Sequence, residues 1–122
     1  MQEIVIPEIF EEDIIEFVVK DSKAMFKYYC ENNIVELIFK GVYQFDFCEF
    51  DYINDIDWKF GLLKYSDSST LRSIFARLNK EKKERAFGGD YKKIHHYKLT
   101  IDDVGMYNFI CKDFEVKQYV NW

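Results

Sequence analysis

Between Ile34 and Tyr52 the chain reads IVELIFKGVYQFDFCEFDY, and its apolar residues fall on every second position. Val35, Leu37, Phe39, Tyr43, Phe45 and Phe47 share one parity, with Gly41 keeping the beat between them. Successive side chains leave a pleated backbone on opposite faces, so a period of two predicts a half-buried strand. The stretch is therefore sheet, and the pattern places it centrally.

The same period runs upstream, where Asp21–Ser22 and Asn32–Asn33 separate IIEFVVK, KAMFKYYCE and IVELIFK. Short polar side chains tolerate the positive φ angles that tight hairpins need, so both pairs predict turns. A two-residue loop at Asn32–Asn33 sets Cys30 opposite Val35, Tyr28 opposite Leu37 and Phe26 opposite Phe39. One at Asp21–Ser22 sets Val19 opposite Ala24, Phe17 opposite Phe26 and Ile15 opposite Tyr28. Together they give one apolar face across three strands, with Glu16, Lys27, Glu36 and Lys40 on the other. A slip of one residue would turn the whole set to solvent.

Past Phe39, Gly41 is either a further hairpin turn or a bend in one long strand. The apolar parity then changes from Tyr43, Phe45 and Phe47 to Cys48, Phe50 and Tyr52, which predicts a β-bulge or strand bend of the kind that curls a sheet. Residues 1–12 hold the only proline, Pro7, and read as a short edge strand or an arm. After the loop INDID, the shared parity of Trp58, Phe60 and Leu62 predicts another strand.

From Leu71 the period becomes helical, with Leu71, Ile74, Phe75 and Leu78 on one stripe behind the N-cap candidates Asp67, Ser68, Ser69 and Thr70. The helix runs into a basic stretch that stops at Gly88 and Gly89. KIHHYKLTI, the turn DDVG, MYNFICK and FEVKQYVNW predict a hairpin and a final strand. No repeat or linker is visible, so residues 1–122 read as a single domain. The expected fold is α+β: a curled, mainly antiparallel β-sheet or barrel-like sheet of about eight strands, with one principal helix at about 70–85. Leu37, Phe45 and Phe75 are expected in its core.

Composition supports a self-sufficient fold. The chain has 122 residues, 48% of them hydrophobic, with twelve Phe, nine Tyr and two Trp, and Pro and Gly are sparse. That aromatic excess favours strands, and a domain of this size buries a core without a metal or disulfide. No apolar run approaches the roughly 20 residues that span a bilayer, and the acidic MQEIVIPEIFEED lacks the basic start of a signal peptide. A cytoplasmic protein is expected. Cys30, Cys48 and Cys111 are an odd number without a C-x-x-C pair, so buried free thiols are expected rather than a disulfide framework or zinc site.

The net charge of −5 conceals an asymmetry: residues 1–57 hold fourteen Asp/Glu and four Lys/Arg, and residues 58–122 hold eight and thirteen. In the basic half, nine Lys/Arg face three Asp/Glu between residues 72 and 98. Lys80, Lys82, Lys83 and Arg85 would carry a nucleic-acid role there; a solvated helix face accounts for the same charges. His95 and His96 are the only histidines. Neighbours on a strand point to opposite faces, so they do not chelate one metal, and neither a metal site nor a cofactor is expected. Either histidine with Asp102 or Asp103, and Arg85 or Lys98 to hold a phosphate, would make a small phosphodiester-cleaving enzyme. Catalysis is nonetheless not the expected role.

In the acidic half, Glu49, Asp51, Asp55 and Asp57 cluster around Tyr52 and Trp58. Aromatic anchors ringed by charge suit a protein-binding surface, the rings supplying buried area and the carboxylates steering a basic partner. The same carboxylates also serve to keep a sheet edge soluble and unpaired. The pairing of KGVYQFDFCEFDYINDIDWKFGL with HYKLTIDDVGMYNFICKDFEV resembles small β-rich bacterial proteins of uncharacterised or toxin-immunity type. That resemblance implies a cytosolic protein that binds a cognate toxin, with no catalytic residue to carry over. The expected function is therefore a non-catalytic protein-binding module, an immunity protein for a basic toxin such as a nuclease, with Glu49, Asp51, Tyr52, Asp55, Asp57 and Trp58 at the interface.

Overall fold

The computed structural model describes residues 1–49, 60–81 and 93–120, with positions 79–81 described through their backbone. In chain order the strands are β1 (Gln2–Ile4), β2 (Ile14–Lys20), β3 (Lys23–Cys30), β4 (Asn33–Lys40), β5 (Gln44–Glu49), β6 (Gly61–Tyr65), β7 (His95–Ile101), β8 (Gly105–Cys111) and β9 (Asp113–Val120), and the helix α1 (Ser69–Glu81) follows β6. Every pairing is antiparallel. Two sheets result, of order β1-β6-β7-β8-β5 and β2-β3-β4-β9. The α+β expectation holds, but the sheet does not curl into a barrel: two open sheets face each other across the core.

The meander β2-β3-β4 follows the predicted apolar face, with two corrections of register. The turn at Asp21 and Ser22 forms as expected, both with positive φ (53° and 62°), and sets Val19 opposite Ala24 and Phe17 opposite Phe26. Ile15 does not face Tyr28; a bulge lets Ile14 take that place, and Ile15 turns to solvent. The second turn sits at Glu31–Asn32 rather than Asn32–Asn33, with Glu31 in the left-handed region (φ 55°). Tyr28 therefore pairs with Val35, Phe26 with Leu37 and Cys30 with Asn33. The displacement is two residues, so the buried parity survives it. On the outer face Glu16, Lys27, Glu36 and Lys117 line up across the four strands in alternating sign, a cross-strand pattern that favours this register.

Gly41 is neither a hairpin turn nor a bend in one strand. With φ 63°, it marks where the chain leaves one sheet for the other. The crossing is held by Val42 N–H donating to Ser22 O (2.8 Å) and Tyr43 N–H to Ile110 O (2.8 Å), while the return crossing beside it is held by Lys112 N–H donating to Lys40 O (3.0 Å). No bulge interrupts β5, whose pairing with β8 runs unbroken from Gln44 to Glu49; Phe50 and Tyr52 lie outside the described residues. Leu62 lies on β6 as expected, Phe60 just precedes that strand, and Trp58 is outside the described residues.

The inner faces meet through rings. Phe39 stacks on Phe109 with centroids 4.1 Å apart, Phe26 meets Tyr107 edge-on at 4.9 Å, and Tyr97 meets Phe39 and Phe114 at 5.7 Å each. Offset and edge-to-face pairs of this kind add to the burial of their area. The segment after β1 closes one end of this core: Ile9 is buried in it, and the buried Tyr28 hydroxyl donates to Pro7 O (2.6 Å). Burial pushes the Tyr28 phenol pKa far up, so it stays a donor. On the outer face of the five-stranded sheet, Leu71, Ile74 and Leu78 of α1 pack on Ile94 and Ile110, with Phe75 partly buried beside them. Of the cysteines Cys111 is buried, and Cys30 and Cys48 are only partly so. The Cys111 thiol pKa is pushed up to about 12 by burial.

Leu37 is fully buried, whereas Phe45, expected in the core, is 42% exposed at the sheet edge. Leu37→Ala should therefore cost roughly 2–5 kcal/mol and Phe45→Ala about 1 kcal/mol, read from urea denaturation midpoints. Gly105 gives a second test. It has φ +144°, and a Cβ there would lie 2.2 Å from the Cys48 carbonyl oxygen and 2.8 Å from the Phe47 ring. Gly105→Ala should cost roughly 1–3 kcal/mol, with the faster amide exchange confined first to β5 and β8.

Candidate functional site

The last strand of the five-stranded sheet, β5, pairs with β8 on one side and with no described strand on the other. Its alternation QFDFCE sends Phe45 and Phe47 to the inner face, opposite Phe109 and Tyr107, and Asp46 to the outer face, opposite Asn108. At an edge the inner face is only half covered, so Phe47 is 43% exposed, much like Phe45. Phe17, on the edge strand of the opposing sheet, reaches across to Phe45 (6.1 Å) and Tyr107 (5.3 Å), and Phe47 packs on Tyr107 at 4.6 Å. Four rings thus pack together where the edge strands β2 and β5 approach each other. Glu49, which shares the parity of Phe45 and Phe47, is exposed at the end of β5, while Glu16 and Asp46 are exposed on the outer faces of their own sheets.

Of the residues expected at a protein interface, Glu49 is placed here, exposed at the end of β5. Asp51, Tyr52, Asp55, Asp57 and Trp58 lie outside the described residues. So do Lys82, Lys83 and Arg85 of the basic segment and the side chain of Lys80. Phe17, Phe45, Phe47 and Tyr107 were not singled out as a surface, because alternation alone assigns such residues to a core. The signal that separates them is the position of β5 and β2 at sheet edges, which a single sequence does not print.

The histidines point to opposite faces of β7, as their adjacency requires. His96 is 3% exposed and faces α1. Its Nδ1 lies 3.0 Å from Ser68 Oγ, and its Nε2 lies 2.7 Å from Asn108 Oδ1. Asn108 Nδ2 in turn donates to Asp46 Oδ1 (3.0 Å). The carboxylate only accepts, which fixes the Asn108 amide with its oxygen toward His96. Nε2 then carries the proton and Nδ1 accepts from the Ser68 hydroxyl, whose oxygen also caps the helix by accepting from Leu71 N–H (3.2 Å).

A polar relay through the buried His96 therefore ties the start of α1 to the edge strand β5. Asp102 and Asp103, expected as histidine partners, occupy the turn at the other end of β7 instead. Lys98 sits with its ammonium 5.1 Å from the Tyr65 ring centre. Ser68 was one of four N-cap candidates in the sequence, and its link to His96 and Asn108 depends on where α1 docks.

His95 faces inward, and its Nδ1 is buried without a hydrogen-bond partner among the described residues. Burial, reinforced by the Lys64 ammonium and opposed by Asp113, holds its pKa below the ordinary 6.5. The Cys30 thiol pKa is raised by burial and then by the carboxylates of Glu31, Glu8 and Asp13. Among the described residues no group of three or more His, Cys, Asp or Glu is placed to hold a metal ion, and no helix is long and apolar enough to cross a membrane. Neither a family model, a curated protein nor a solved structure matches the chain.

The His95 environment has a signed consequence. Below pH 6.5 the unfolded chain takes up a proton that folded His95 refuses, so stability is full above that pH and declines from there down to the lowered pKa. His95→Asn should remove this component. Denaturation midpoints measured from pH 8 to pH 5 should fall less steeply in the variant than in the parent.

Proposed function

We propose that this protein is a non-catalytic binding module for a basic protein partner, acting by stoichiometric occupation of the partner's surface. The observation that carries the reading is the pair of half-exposed rings Phe45 and Phe47 on the edge strand β5, packed with Phe17 and Tyr107, with the exposed carboxylate of Glu49 at the end of the same strand. Rings of this kind give up ordering entropy sparingly and bury large area on contact, while a carboxylate on the same strand raises the rate of encounter with a cationic surface. A toxin that cleaves nucleic acid fits this chemistry, because its active site is built to accept phosphate and is positive. The resemblance to immunity-type proteins supports the same partner class, and a cytoplasmic site of action belongs to the same reading. The engagement of both His96 nitrogens inside the fold supports a structural role for that side chain.

The test is capture of partners from the native host by the tagged chain, followed by kinetics on the purified pair. A basic protein binding one to one is expected. Glu49→Lys should lower its association rate roughly tenfold at low salt, and Phe47→Ala should chiefly speed dissociation, with the melting temperature of the Glu49 variant unchanged. Recovery of no stable protein partner, or of one indifferent to both substitutions, would overturn the reading.

A further inference from the structure

Away from the β5 edge, between β1, the segment that follows it and the start of β6, lies a cavity of about 360 Å³. This is at the small end of the range typical of ligand sites, roughly 300–1,000 Å³. Its wall is mainly apolar and includes Ile6, Phe10 and Phe60, with Phe10 and Phe60 still 42% and 52% exposed. Among the described residues that line it, the charged ones are Glu3, Glu8 and Asp102. The cavity is formed by tethered parts: β1 pairs Ile4 with Leu62, Ile9 is buried in the core, and Tyr28 holds Pro7.

Two further features narrow the occupant. β1 ends the order of its sheet, so beyond Gln2–Ile4 no described strand pairs with it, and Val5 next along is almost fully exposed. A strand edge that no described strand covers, beside an apolar cavity, is the arrangement to which an extended peptide adds itself, backbone to backbone, with alternate side chains dropping into the pocket. The carboxylates of Glu8 and Asp102 supply the matching charge for lysines or arginines between those apolar residues. A small amine would meet the carboxylates and the apolar wall but leave the strand edge unused.

We infer that this cavity is a second contact site, one that takes an extended basic segment of the partner protein, with an apolar side chain in the pocket and cationic neighbours at Glu8 and Asp102. The inference rests on the reading of the chain as a binder of basic proteins and assigns it a recognition element outside the β5 edge. Turn Asp102–Val104 and the end of β5 lie at the same end of the sheet, since Glu49 pairs with Gly105. One partner can therefore reach both.

The probe is a synthetic capped peptide, KVKFKVK, titrated into the full-length isotope-labelled chain and followed by amide NMR, with EVEFEVE and hexylammonium chloride as comparisons. Shifts are expected at residues 2–10, 60–63 and 100–102 with KVKFKVK alone. The double variant Glu8→Lys, Asp102→Lys should weaken binding at least tenfold, and Phe10→Ala, which alters an exposed ring, should weaken it independently should the charge variant fail to fold. Shifts confined to Gln44–Glu49 would overturn the pocket assignment while leaving the protein-binding reading intact. Hexylammonium reproducing the shifts where the peptide gives none would replace the peptide by a small hydrophobic cation, and no shifts at millimolar peptide would overturn the inference outright. The protein-binding reading itself fails only through the capture experiment and the Glu49 and Phe47 variants.

Discussion

The fold depends on burying two apolar sheet faces against each other, and the stack of Phe39 on Phe109 sits where they meet. Phe39 belongs to β4 and Phe109 to β8, each an interior strand of its own sheet. Around this contact the alternation of every strand is set: Phe26, Leu37 and Tyr28 must point toward it, and Glu36 and Lys27 away. Rings are costly to leave in water and are satisfied by one another here, so a register slip by a single residue would expose several at once. The two crossings of the chain, at Gly41 and at Lys112, follow from the same demand. Each must change sheets without leaving its backbone groups unpaired, and the Lys112–Lys40 and Tyr43–Ile110 bonds achieve this.

Much of this was legible. Alternation in IVELIFK and KAMFKYYC names the buried face of β3 and β4, the helical stripe Leu71, Ile74 and Leu78 is the one that packs, and the DDVG turn falls where β7 and β8 meet. The errors are local or topological. The turn at Glu31 was hidden because glutamate seldom takes a positive φ. Gly41 was misread because a parity pattern continues unbroken through a change of sheet: Leu37 and Phe45 share a beat but belong to different layers. Edge position was hidden for the same reason, since Phe45 and Phe109 look alike in sequence while only Phe109 has neighbours on both sides.

The candidate binding surface shows a similar division. Charge asymmetry and the acidic-aromatic composition around Glu49 are properties of the sequence, and of the six residues expected at an interface only Glu49 falls among the described residues, at the end of β5. The ring cluster of Phe17, Phe45 and Phe47 requires two edges from different sheets to come together, and the relay from Asp46 through Asn108 and His96 to Ser68 requires α1 to lie over β7. Both arise from long-range packing, which residue spacing does not encode. Through that relay the Asp46 carboxylate, exposed on the outer face of the edge strand, helps to seat the start of the helix.

The pairing of β4 with β9 has a consequence for how the chain comes into being. β2, β3 and β4 are joined by tight turns and can assemble as soon as they are made, but the partner of β4 arrives only after all of β5 to β8. Until then Asn33–Lys40 presents a bare edge rich in Val, Leu, Ile and Phe, and such edges recruit strands from other chains. Nascent molecules on neighbouring ribosomes are thus the natural competitors of β9. The alternating Glu36 and Lys117 positions, matched across the β4–β9 pair, favour the correct strand in that competition.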